Sequence, residues 1–106
     1  MTDDQLSDSF IQFQRVEKSA SVRTLRNYSQ ALAVFQSHLE QTQFPGWKSC
    51  TPEHFRSYLY YCMQLEMARS TIRLRFSALR SFYKYLIHRH GLAKSPLVDL
   101  QMPKQE

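Results

Sequence analysis

Residues 21–40 read SVRTLRNYSQALAVFQSHLE, and this stretch decides the fold class. Leu25, Tyr28, Leu32, Phe35 and Leu39 recur at steps of three, four, three and four. On an α-helix that spacing places all five on one face, whereas a strand would need strict alternation. Ser21 suits the N-cap, where its hydroxyl accepts from a first-turn N–H. Gln43-Phe44-Pro45-Gly46-Trp47 breaks the run. A helix from Val22 to about Gln41 is predicted.

The same reading extends in both directions. Upstream, Leu6, Phe10, Phe13 and Val16 form one apolar stripe, predicting a first helix from about Asp4 to Lys18. Asp3, Asp4 and Asp8 fall early in it, where the helix dipole favours acids. Downstream, Thr51-Pro52 is a cap followed by a first-turn proline, opening a third helix that ends near Glu66 or Met67. Phe55, Tyr58 or Leu59, Cys62 and Leu65 are its expected buried face. Ser70 then reads as the cap of a fourth helix from Thr71 to about His88. Its stripe is Ile72, Phe76, Leu79, Tyr83 and Leu86, and Gly91 is its expected C-terminal cap. Ser95-Pro96 and an apolar patch from Leu97 to Leu100 follow. The fold class expected is all-α: a compact four-helix orthogonal bundle.

Composition agrees. The chain has 106 residues, enough for one domain with a core of its own. Only two Gly and four Pro argue against a sandwich or barrel. With 42% hydrophobic and 13% aromatic residues, disorder is excluded by composition. Cys50 and Cys62 form no CxxC or Cys/His ligand spacing, and their sparse use fits a reducing compartment. No apolar run is long enough to span a membrane, and the acidic start Met1-Thr2-Asp3-Asp4 lacks the basic region of a signal peptide. A cytoplasmic location is expected.

The net charge is +5 and unevenly spread. Residues 1–17 carry four acids against Arg15, while residues 18–106 carry thirteen Lys/Arg against five acids. Such a surplus suits a polyanion, although it also serves solubility. On the fourth helix, opposite the apolar stripe, stand Arg69, Arg73, Ser77, Arg80 and Lys84, with Arg75 on the flank. A row of cations on one helix is what phosphates attract. Ser70 and Thr71 add hydroxyls at its start, beside free backbone N–H groups. The second helix carries Arg23, Thr24, Arg26, Asn27 and Gln30 in its first turns, types that contact phosphates and base edges. A solvated basic face is the plainer reading of either helix alone.

The stretch STIRLRFSALRSFYKYL at 70–86 resembles the last long helix of the core-binding domain of tyrosine recombinases and phage integrases. The family pattern there is roughly S-x-x-T-I-x-x-x-L-S-A-L-R-x-F-Y-x-Y-L. Ser21, Thr24, Tyr28, Leu32 and Phe35 resemble the family's S-x-x-T-x-x-x-Y-x-x-x-L-x-x-F. Trp47 and Thr51-Pro52 resemble its middle segment, Ser95-Pro96 its usual Asn-Pro, and Pro103-Lys104 its linker into a catalytic domain. One departure is Met67-Ala68-Arg69, where a Gly usually precedes the serine. The resemblance implies a SAM-like core-binding domain over residues 1–100 and a linker starting at 101–106. It implies duplex DNA as partner, recombinase protomers in a synaptic complex of the full-length protein, and a monomeric isolated domain. Arg23, Thr24, Arg26, Asn27, Arg69, Ser70, Thr71, Arg73, Ser77 and Arg80 are the DNA-binding candidates. The N-terminal halves of helices two and four are expected to lie together on one side.

The chemistry of that family resides in a further, C-terminal domain, so no catalytic residue, metal or cofactor is expected here. Tyr58, Tyr60, Tyr61, Tyr83 and Tyr85 read as core or rim aromatics. His88 and His90, two apart at a helix end, do not converge on a metal, and His38 and His54 are isolated. A SAM-like protein-interaction module without DNA binding would share the core pattern and stays open.

Overall fold

The computed structural model describes residues 1–102. Four helices follow one another: α1 (Asp3–Val16), α2 (Val22–Glu40), α3 (Pro52–Gln64) and α4 (Arg69–His90), with a 3₁₀ turn at Trp47–Ser49. There is no strand among the described residues. The all-α, SAM-like bundle expected from the sequence is the architecture found.

Local chemistry sets the helix ends. Thr2 and Gln5 form a reciprocal capping box at α1. The Ser21 hydroxyl accepts from Thr24 N–H at 3.1 Å, as expected for α2. At α3, His54 accepts from the Thr51 N–H through Nδ1 at 2.9 Å, so this histidine, isolated in the sequence, serves as a cap. The start of α4 differs from expectation. Ala68, not Ser70, holds the N-cap position, and no side chain caps it. The cause lies upstream: α3 ends two or three residues earlier than its apolar pattern suggests. Glu66 adopts φ 57°, and the bonds Glu66 N–H to Met63 O and Met67 N–H to Cys62 O close a Schellman turn. That turn returns Met67 to the core and leaves Leu65, an expected core residue, 56% exposed. Val16 is likewise exposed, because α1 ends there.

The core is predominantly aromatic. Phe10, Phe35, Trp47, Phe55, Tyr58, Phe76, Phe82 and Tyr83 are all fully buried. Each such ring contributes roughly 1.5–3 kcal/mol by burial alone. Trp47 organises the break between α2 and α3. Its backbone N–H donates to Asp3 Oδ1 and its indole N–H to Ser7 Oγ, each at 3.0 Å, and the Tyr83 hydroxyl donates to its carbonyl at 2.7 Å. One residue, through its backbone and its indole, thus links α1, the 3₁₀ turn and α4. Most of α4 is wrapped by other elements, and only one strip of it meets solvent.

A candidate nucleic-acid interface

Ring contacts fix how the helices run. Tyr28, early in α2, stacks on Phe10 at 5.5 Å, and Phe10 meets Phe82 and Tyr85 in the later half of α4. Phe35 and His38, late in α2, meet Tyr58, which meets Phe76 in the earlier half of α4. The two helices therefore run head to tail. The expectation that their N-terminal halves lie together is corrected: the start of α2 lies beside the end of α4. The short turn after α1 explains this. It reverses the chain, α2 runs back along α1, and α1 follows the later half of α4 through Ser9–Tyr85 and Glu17–Arg89 contacts.

The outward side of α4 carries Arg69, Ser70, Ser77, Lys84 and His88 exposed, with Arg73 and Ser81 half-buried. From Arg69 to His88 this strip runs about 28 Å at 1.5 Å per residue. Thr71 is also half-buried. On α2, Arg23 and Arg26 are exposed, and Thr24 and Asn27 half-buried. The Thr24 hydroxyl is within 3.1 Å of Ser21 Oγ, which holds both hydroxyls at the helix start. With the helices head to tail, the first turns of α2 lie on the side of the later half of α4, which carries Ser81, Lys84 and His88. Arg69, Ser70 and Thr71 stand at the far end of the strip.

Arg80 has a different environment from its row. Its guanidinium donates to the Leu97 carbonyl at 2.9 Å and the Leu100 carbonyl at 2.8 Å. Leu97 is fully buried beneath this clamp. Arg80 therefore ties the segment after α4 onto the helix. The i, i+4 spacing with Lys84 could not reveal this, since the acceptors are backbone carbonyls seventeen and twenty residues away. Arg75 is half-buried on the inner side, near the Tyr58 hydroxyl and Cys62. Burial pushes the Tyr58 phenol up to about 12, partly offset by Arg75.

A second cationic group, in which Lys18, His88 and Arg89 join Lys84 of the basic row, lies where α1 and α4 end. Phe13, Gln14 and Lys18 face Ser81, Lys84, His88 and Arg89 across an open cleft. The Arg89 guanidinium covers the Phe13 ring at 4.8 Å and pairs with Glu17 at 3.1 Å. Each of these residues was visible in the sequence; their adjacency depends on the α1–α4 packing. Among the described residues no group of three or more His, Cys, Asp or Glu could hold a metal ion, and no helix is long and apolar enough to cross a membrane.

Comparison with known proteins bears on this arrangement. The family of the phage integrase N-terminal SAM-like domain matches residues 8–90. The chain belongs to that family. Among curated relatives it is similar to the tyrosine recombinase XerC of Halalkalibacterium halodurans, 32% identical over 95% of the chain and 33% of the relative. XerC of Bacillus subtilis is 30% identical over 92% of the chain and 32% of the relative. XerC of Vibrio vulnificus is 32% identical over 93% and 31%. The chain thus spans about a third of the length of the curated relatives it matches. No solved structure matches it. The phage integrase SAM-like assignment covers α2, α3 and α4 whole and most of α1.

Proposed function

We propose that this domain binds duplex DNA with little sequence preference, as the N-terminal half of the clamp of a site-specific tyrosine recombinase. It would act in DNA integration and recombination. The observation that supports the reading is the set of exposed polar and cationic residues on the first turns of α2 and on the outward strip of α4, two helices packed head to tail. Arg23 and Arg26 on one helix and Lys84 on the other are exposed there, and Ser77, Ser81, Thr24 and Asn27 supply uncharged donors. Phosphate contacts from such groups position a protein on a duplex without reading its sequence. Strand cleavage would belong to a catalytic domain that residues 101–106 lead towards, and other protomers would join in synapsis. Residues 103–106 of that linker lie outside the described residues. By itself the domain would be monomeric and form no covalent DNA adduct.

Tyr60, Tyr61, Met63 and Leu65, exposed on α3, favour the rival reading of a protein-interaction module. A titration of a labelled duplex across salt concentrations separates the two. DNA binding here should weaken steeply with salt, log K falling by roughly 0.9 per phosphate contact for each unit of log salt. A chain that binds no duplex even at low salt is the protein-interaction module instead.

A further inference from the structure

The cleft between the ends of α1 and α4 has a composition unlike the rest of the surface. It holds ≈ 430 Å³, and no carboxylate lines it. Lys18 enters from one side, and Lys84 and His88 from the other. Neither Lys18 nor Lys84 has an ion-pair partner among the described residues; the Lys18 ammonium rests 5.8 Å over the Phe13 ring. Arg89, by contrast, is held by Glu17 through both guanidinium ends, at 3.1 and 3.4 Å. Two lysines from separate elements thus line one open cleft together with Phe13 and Tyr85. Like charges that line one cleft repel one another, and an anion bound between them would offset the repulsion.

The position of the cleft says which anion. Lys18 precedes the α2 cap Ser21 by three residues, a span of at most about 11 Å. Lys84 follows Ser77 by seven residues, about 10 Å along α4. The cleft therefore ends the α2–α4 surface instead of standing apart from it.

We propose that this cleft seats a backbone phosphate of the bound duplex between Lys18 and Lys84, with Glu17 restraining the third cation, Arg89. The proposal rests on the DNA-binding reading and extends it to α1. Lysine acts here as a point charge, so no bidentate geometry is required. Glu17 does not line the cleft but pairs with Arg89, which does, and that pairing lowers the potential Arg89 offers to a phosphate.

The test is fluorescence anisotropy of a mixed-sequence duplex with this chain over a salt series. The variants are Lys18→Gln, Lys84→Gln, Lys84→Arg, Glu17→Gln and, as a control away from the cleft, Lys94→Gln. Lys18→Gln and Lys84→Gln should each weaken binding several-fold and lower the salt slope by about 0.9. Lys84→Arg should keep the parent slope, Glu17→Gln should bind more tightly, and Lys94→Gln should match the parent. All four positions are exposed, so melting temperatures should stay near the parent's. If the parent binds DNA while both glutamine variants keep its slope, the phosphate seat is wrong and the DNA reading stands. If Glu17→Gln binds no more tightly, the restraining role of Glu17 is wrong. If the parent binds no duplex at low salt, the DNA reading fails and the seat fails with it.

Discussion

Arg80→Gln distinguishes a structural clamp from a groove-facing cation. The arginine makes two charge-assisted bonds to backbone carbonyls, at 2.9 and 2.8 Å, and is itself partly buried. Hydrogen bonds to charged groups contribute roughly 1.5–3 kcal/mol each, and partial exposure favours the lower end. Losing both should cost about 3 kcal/mol. If Leu97 and its neighbours leave with the clamp only locally, the loss appears as faster amide exchange at Val98 and Leu100. These amides bond back to Ser95 and Leu97. About 3 kcal/mol corresponds to roughly 150-fold faster opening, since 1.36 kcal/mol is a factor of ten. If the segment unfolds with the whole domain, the melting temperature should fall by on the order of 10 °C. Arg80→Lys keeps the charge but cannot span both carbonyls, so it should resemble Arg80→Gln in exchange and stability. Hydrogen exchange followed by mass spectrometry or NMR, with parallel melts, is the assay. Parent-like exchange and melting in Arg80→Gln, together with a loss of DNA affinity, would refute the clamp and return Arg80 to the DNA-facing row.

Other consequences can be measured on the same chain. Leu32→Ala, Phe35→Ala, Phe76→Ala and Leu79→Ala should each destabilise by roughly 2–5 kcal/mol, as large-to-small core changes do; melts matching the parent would overturn the assigned helical faces. Burial holds the His38 imidazole below its ordinary 6.5, and burial together with Lys48 does the same to His90. The unfolded chain then binds more protons, so stability should be full above about pH 6.5 and decline as pH falls below it; a flat series of melts would contradict this. Burial pushes the Cys50 thiol up to about 11 and raises that of Cys62. Both should resist a thiol reagent near pH 8 until the domain unfolds, and rapid reaction of either in the native state would count against their placement.

The fold was largely legible because each helix carries its own periodicity. Leu32, Phe35 and Leu39 on α2, and Ile72, Phe76, Leu79, Tyr83 and Leu86 on α4, face inward as their spacing requires. Boundaries were less legible where a non-glycine residue made the turn. Glu66 in the left-handed region ends α3, and neither its identity nor its neighbours announce that conformation. The site was legible by composition but not by assembly. Periodicity turned Arg26 and Lys84 outward correctly, yet it holds no information on helix direction; the expectation that the N-terminal halves of α2 and α4 lie together came from the family resemblance, and the ring contacts run the two helices head to tail. Arg80 shows the same limit: a cation on an outward strip can be occupied by carbonyls far along the chain.

The most direct test of DNA binding by the α2–α4 surface is a set of backbone amide shifts recorded while a mixed-sequence duplex is added. The largest changes should fall at Ser21–Gln30 and Ser77–His88, with α3 nearly silent. Changes confined to α3, where Tyr60, Met63 and Leu65 are exposed, would put the duplex on the opposite face and contradict the account.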